Sequence, residues 1–442
     1  MKPYPAYKAT GTTWLGEVPE HWDVKMLKHL GRFKAGAGFP IEHQGMPGEE
    51  LPFFKVKDIE TSTDRCWMTE SESTVSVEIA KNLGANIFPR ETIVFAKVGA
   101  ALLLNRFRLL GLSSCIDNNM MGFSITENSV LPRFMWSAMQ RINFREFANP
   151  GPVPSLNETQ VSNLYFALPS YGEQQAIVTY LDRETARIDT LLAEKGRLID
   201  TLREYRQATI SEVVTQGLDS AAPKKPSGVP WLGGVPASWS VLRVKEVATV
   251  LPSNIDKLTV EGEQPVSLCN YVDVYKNDKI TADIEFMPAT ATDEQIRKLS
   301  LTKGDVVLTK DSESPWDIAV PTYIAEDIPN LACGYHLAKL APNEYLIRGD
   351  FLCWSLKAFP VSVHFSLAAS GITRYGLSIA NISDGNIPVP SLTEQQAIAS
   401  YLDTETTRID KLLAHVQDEI KLLQELRAAT ITDAVTGKIQ VG

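Results

Sequence analysis

Between residues 170 and 216 the apolar positions fall at Ile177, Leu181, Ile188, Leu191, Leu198, Leu202 and Tyr205, in steps of 4, 7, 3, 7, 4 and 3. Those steps trace a heptad-like seam along one face of a helix. The same pattern returns near the end of the chain through Ile398, Leu402, Ile409, Leu412, Leu423 and Leu426. Glu419 interrupts it where Leu198 sits in the first copy, with Ile420 beside it. A helix of about 40 residues is roughly 60 Å long. A seam of that length needs cover, and its expected cover is the other copy, in an antiparallel, coiled-coil-like pair.

Elsewhere the period shortens. Runs such as LPFFKV, TIVFAKV and DVVLTK read as short strands, and RFMWSAMQRINFREF (133–147) as the clearest helix outside the repeats. The expected fold class is α/β or α+β, with two globular modules separated by the two long helices.

The chain is written twice. WLGEVPEHW at Trp14–Trp22 returns as WLGGVPASW at Trp231–Trp239, and the block from Leu168 to Val214 returns from Val389 to Val435. The segments between these phrases match poorly, apart from echoes such as ETIVFAKVG (91–99) with GDVVLTKDS (304–312) and Phe144 with Phe365. A repeated pattern of this kind fixes the architecture before any single residue does. It predicts a first module over 1–169, a helical region over 170–216, a linker over 217–228, a second module over 229–390 and a second helical region over 391–442. The tryptophans of the repeated phrase are expected to anchor each module's incoming strand on its helical support.

Composition narrows the function. Five single cysteines without a CxxC pair point away from a disulfide framework or a zinc site, and no metal is expected. No apolar run reaches the roughly 18–20 residues of a membrane helix. Residues 1–13 lack a signal-peptide core, so a cytoplasmic protein with no membrane partner is expected. There is no phosphate loop, no GxSxG elbow and no HExxH. The NPGP at Asn149–Pro152 lacks the aromatic fourth residue with which a base-flipping methyltransferase stacks its target. No catalytic residue and no cofactor site are expected in this chain. A net charge of −10 counts against nucleic-acid binding, although DNA senses only the face it touches.

The WLGxVPxxW phrase ahead of each module, with P-S-x-x-EQQxI…YLDxET…RIDxLL after it, gives the chain an unmistakable plan. Over nearly its whole length it resembles the specificity subunit of type I restriction–modification enzymes. The resemblance implies two target recognition domains, each reading one part of a split, asymmetric duplex DNA site. The antiparallel helices would space them and dock two modification (methyltransferase) subunits. Restriction/translocase subunits would join the same assembly, with S-adenosylmethionine, ATP and Mg on those partners and none here. Segment 304–320 (GDVVLTKDSESPWDIAV) also looks like one common to this family's recognition domains. A helical scaffold presenting two protein- or ligand-binding modules, without DNA specificity, is the competing reading.

Specific readout needs side chains that match base edges, set in register by phosphate contacts. The first module offers Lys55, Lys57, Arg65, Lys97, Arg106 and Arg108, the last two interleaved with Phe107 in NRFR. The second offers Asn270, Tyr271, Lys310, Arg374 and Tyr375, with Arg297 and Lys298 as phosphate contacts. Arg374 and Tyr375 sit in GITRYG, a glycine-bounded loop suited to a groove edge.

Overall fold

The computed structural model describes residues 2–12, 14–45, 47–61, 65–149 and 151–441. They form two compact units, Met1–Glu194 with Glu419–Gly442, and Lys195–Asp418. The two long helices, Tyr171–Gln216 and Leu392–Val435, each contribute one half to each unit. The antiparallel pairing expected from the two seams is what brings the last two dozen residues into the first unit.

Both modules are built on one plan despite their poorly matched sequences. In the first unit a five-stranded sheet runs in the order Gly31–Ala35, Met120–Ile125, Ile93–Ala96, Phe107–Leu110, Trp67–Met68. The second unit repeats that order with Ala248–Pro252, Leu337–Pro342, Val306–Thr309, Pro321–Ile324 and Lys279–Ile280. In each sheet only the last strand is parallel to its neighbour. A three-stranded sheet beside it is also duplicated, centred on Leu51–Phe54 in one unit and Gln264–Cys269 in the other. What the two sequences share is the pattern of buried strand positions: Ile93–Ala96 and Val306–Thr309 are buried throughout.

The neck of each module is closed by a strand pair. Asp23–Met26 pairs antiparallel with Tyr165–Leu168, and Ser240–Arg243 with Asn386–Val389. The repeated phrases meet here. Trp22 and Trp239 are fully buried, and their indole N–H groups donate to Glu173 Oε1 (3.3 Å) and Glu394 Oε1 (3.1 Å). The next residue on each helix, Gln174 or Gln395, is also fully buried. Gln174 donates to the carbonyls of Ser129 and Pro169 and accepts from Leu131 N. Gln395 repeats this with Leu346, Pro390 and Arg348. The long helices end at Gly217 (φ +76°) and Gly437 (φ +70°), where a Cβ would approach the Trp239 ring to 3.1 Å and the Trp22 ring to 3.2 Å.

Within each unit the two helix segments run antiparallel. In the first, Arg427 reaches Asp189 while Asp433 acts on Tyr180. In the second, Arg206 reaches Asp410, and Ile210 shares a core with Leu402 and Ile398. The seam itself is divided. Ile177, Leu181 and Ile188 are buried, as are Ile398, Leu402 and Ile409. Of these, Ile177 and Leu181 share the first module's core with Ile431, Ala434 and Val435 of the other helix, and Ile398 and Leu402 share the second's with Ile210, Val213 and Val214, so the seam merges into the module cores. Leu191, Leu202 and Leu423 are half-buried, while Leu198, Tyr205, Leu412 and Leu426 are 39–48% exposed. Heptad periodicity fixes which face is apolar, not what covers it.

Two local expectations differ from the structure. The helix expected over 133–147 is Pro132–Met139 alone. Asn143 then caps a separate 3-10 turn, and Asn105 Oδ1 takes the Phe144 N–H, which holds Phe144 in the core. Within 217–228, Lys224–Pro226 form a strand paired with Gly234–Pro236. No single helix among the described residues is long and apolar enough to cross a membrane.

Candidate nucleic-acid interface

At one end of the second module's sheet the chain passes from Val306–Thr309 into Lys310 and Asp311. Lys310 N donates to His336 O (3.0 Å), and its carbonyl accepts Leu377 N (2.8 Å), which fixes the backbone between a turn and a hairpin. Its ammonium group donates to Ser253 O at 3.1 Å and stands 4.8 Å from the centre of the Tyr335 ring. The Asp311 carboxylate collects His336 Nδ1 at 2.8 Å and the guanidinium of Arg374, whose Nε lies at 3.1 Å. That carboxylate raises the Arg374 pKa above its ordinary value, so the group is a permanent cation. Arg374 and Tyr375 lie in the hairpin Ser370–Gly371/Tyr375–Gly376, whose second strand pairs with Asp311–Ser312.

Asn270 and Tyr271 open a short helix, Tyr271–Lys276, on the adjoining three-stranded sheet. Asp273 accepts the Asn270 N–H at 2.7 Å, and Tyr271 stacks on Tyr275 with ring centroids 5.0 Å apart. Burial, aided by the Asp317 carboxylate, pushes the Tyr275 hydroxyl far up, so it remains a neutral donor, bonded to Asp317 O at 3.2 Å. Trp316, Tyr335 and Ile372 are exposed to 68%, 51% and 92%. Cations beside exposed aromatic rings form a surface able to donate to acceptors and to stack on planar groups. Five of the seven residues selected from sequence in this module lie on it. Arg297 and Lys298 lie instead on the helix Asp293–Leu299, where Lys298 pairs with Glu294 at 2.8 Å.

Hydrogen bonds identify the same position in the first module. Lys97 follows the strand Ile93–Ala96, its N–H donates to Asn119 O (2.8 Å), and its carbonyl accepts Leu156 N (2.9 Å). Lys97 therefore corresponds to Lys310, and Asn119 to His336. Lys55 corresponds to Asn270: its N–H bonds Asp58 Oδ2 at 2.7 Å, as Asn270 bonds Asp273. The Lys55 ammonium donates to Gln44 Oε1 at 2.8 Å. Burial raises the nearby Asp117 carboxyl above its ordinary value, against the pull of Asn119 and Lys55. A bridge between Asn149 and Ser155 stands where the second module has its hairpin. Asn149 of NPGP therefore stands at that turn; Pro150 lies outside the described residues.

The other cations of the first module gather elsewhere. Lys57 is on the helix Val56–Thr61 and pairs with Glu72 at 2.7 Å. Arg65 pairs with Asp189 at 3.0 Å and Arg106 with Glu60 at 2.9 Å. Arg65, Arg106 and Arg108, but not Lys57, line a cleft of about 410 Å³ that Arg427 of the second long helix also lines. Sequence reasoning missed Asp311, Trp316, Tyr335, His336 and Arg427. Asp311 and Trp316 fall in the recognised 304–320 segment, whereas the other three join their sites only through sheet register or helix packing. No group of His, Cys, Asp or Glu among the described residues could hold a metal ion, and none of the five cysteines forms a disulfide.

Comparison with known proteins adds a matching domain and several relatives. Residues 19–198 match the type I restriction modification DNA specificity domain. The chain is 23% identical over 291 residues to the type I restriction enzyme MjaVIII specificity subunit of Methanocaldococcus jannaschii, covering 65% of each protein and so less than two thirds of that relative's length. In fold it is similar to a chain from a study of complex assembly and conformational transition of the type I R-M system (TM-score 0.70, 14% identity, 96% of this chain and 99% of that one). The HsdS subunit of Thermoanaerobacter tengcongensis is similar at a TM-score of 0.51, with 15% identity over 96% of this chain and 98% of that one. Residues 19–198 thus match a type I restriction modification DNA specificity domain, and the duplicated modules and helices share their fold with the HsdS subunit.

Proposed function

We propose that the chain is a non-catalytic DNA-specificity subunit whose two modules each read one half of a bipartite, asymmetric duplex sequence. The observation that carries this reading is the pairing of sites across the repeat. The same backbone positions hold Lys97 and Lys310, Lys55 and Asn270, Asn119 and His336. One cation is kept for a contact common to both half-sites, and the remaining side chains differ, as two different half-sites demand. Lys310, Arg374 and the Tyr271–Tyr275 stack supply donors and planar faces in the second module.

The duplicated helices dock the modification subunits in this reading. Tyr205 and Leu426 occupy equivalent places in the two copies and are exposed to 48% and 47%, as equivalent partners require. S-adenosylmethionine, ATP and Mg belong to those partners and to the restriction subunits. The assembly directs adenine methylation or, with restriction subunits, ATP-dependent cleavage, in the cytoplasm. Selection from a randomised duplex pool, by the chain assembled with its modification subunits, tests the reading. It predicts two short fixed blocks separated by a constant unspecified gap; a pool without fixed blocks contradicts it.

A further inference from the structure

In the second unit the Asp278 carboxylate is gripped by two cations. Arg206 Nη2 lies 2.7 Å away, and Lys357 Nζ makes a short ion pair with the other oxygen. The corresponding positions in the first unit follow from shared hydrogen bonds. Gln174 takes the Leu131 N–H as Gln395 takes that of Arg348, so Leu131 matches Arg348, and Gln140 matches Lys357 at the same distance further along the chain. The edge strand Trp67–Met68 pairs with Leu109–Leu110 as Lys279–Ile280 pairs with Tyr323–Ile324, which sets Cys66 opposite Asp278. Arg427 on Asp189 matches Arg206 on Asp410.

Among the described residues the first unit thus keeps the donors of this arrangement, with Cys66 at the position of its carboxylate. Arg427 shares Asp189 with Arg65. Gln140 Nε2 and Arg141 Nη1 are buried with no hydrogen-bond partner among the described residues. Arg141 Nη2 is spent on Trp14 O at 3.0 Å, and burial pulls the Arg141 pKa below its ordinary value. These four side chains line a recess of about 220 Å³, and three of them also line the 410 Å³ cleft that holds Arg106 and Arg108. Buried donors left unmade cost about 1–3 kcal/mol each in general, so such a set is retained where something accepts from it. Guanidinium forks match a tetrahedral oxyanion, which carries enough acceptors for all of them.

We propose that the first unit contains a binding site for a phosphate-class oxyanion, held by Arg65, Gln140, Arg141 and Arg427 in the place that the Asp278 carboxylate fills in the second unit. The site is separate from the Lys55–Lys97 surface and does not depend on what that surface reads. Its anion is either a backbone phosphate of duplex DNA or a free phosphate group.

The test is thermal unfolding of the full chain during titration with inorganic phosphate, exchanged against chloride at constant ionic strength. The wild type should show a saturable rise in Tm. Gln140→Glu adds an internal carboxylate; it should raise the phosphate-free Tm and weaken phosphate about tenfold or more. Arg427→Gln should weaken phosphate without raising that Tm, which separates loss of the site from loss of the fold. Equal phosphate responses in all three proteins, or none in the wild type, overturn the proposal. Duplex binding then assigns the source. A salt slope shallower by about one in Gln140→Glu identifies a DNA phosphate; an unchanged slope with a lost phosphate response identifies a free anion.

Discussion

Arg427 Nε lies 3.1 Å from Asp189 Oδ1, and the same ion pair recurs one repeat away, with Arg206 Nε 3.0 Å from Asp410 Oδ1. The repeat visible in the sequence is thus also a repeat of contacts, one inside each unit. The surroundings differ: Asp189 serves a second arginine, Arg65, whereas Arg206 has a second carboxylate, Asp278. Asp189→Asn leaves two arginines short of a partner and should cost about 1 kcal/mol, the pair being partly solvated. Asp410→Asn leaves Arg206 its bond to Asp278 and should cost less than about 0.5 kcal/mol. Urea unfolding of the two variants checks the order.

The repeated tryptophans should behave alike. Trp22→Phe and Trp239→Phe each keep most of the buried ring but remove the N–H held by Glu173 or Glu394. A loss of about 1.5–3 kcal/mol is expected for each, because the acceptor is a carboxylate. Trp231, 40% exposed, should tolerate Phe with a change below about 0.5 kcal/mol. The midpoint shifts in urea measure all three.

Along the long helices, cost should follow burial rather than the heptad. Leu181→Ala and Leu402→Ala empty positions in the module cores and should each cost about 2–5 kcal/mol. Leu412→Ala, at 39% exposure, should stay within about 0.5 kcal/mol on its own. If Leu412 lies under a docked subunit, the same change weakens assembly instead, which co-purification reports.

Glu173 gives the first unit an acid sensitivity. Burial works against its charge, but hydrogen bonds from His21, Ser170 and Trp22 more than offset that and bring its pKa below the ordinary carboxylate value. Its contribution is fully present above that ordinary value and disappears as pH falls through the lower value in the fold. Burial and Glu173 also push the Tyr4 hydroxyl up to about 12, so Tyr4 remains a donor throughout. Glu173→Gln should be less stable than the wild type at neutral pH, with the gap closing as the pH drops below 4. Unfolding free energies across that range check the sign.

The support was legible in the sequence because its residues repeat with their roles. The Trp of each phrase and the Glu–Gln of each helix are the groups that bond. The module plan was not legible, because two sheets of identical strand order share only a pattern of buried positions. On the candidate surface of the second module, Lys310 and Arg374 could be chosen as cations, but Asp311 and His336 join them through strand register, which links residues far apart in sequence. Arg65, Arg106 and Arg108 were chosen on the same grounds and line a different cleft, shared with Arg427, since charge type says nothing about which face a loop presents. The seam was legible where Ile177, Leu181, Ile188, Ile398, Leu402 and Ile409 are buried, while Leu198 and Leu412 keep the heptad yet stand exposed.

The central claim, that each module reads its own half of a split site, is tested most directly by mapping methylated sites across the genome of a cell that supplies the modification subunits. The wild-type chain is compared with a variant carrying Tyr271→Ala and Arg374→Ala. The account predicts that one half of the methylated motif is retained while the other becomes degenerate or is lost. Methylation of an unaltered motif, or equal loss of specificity in both halves, would contradict it.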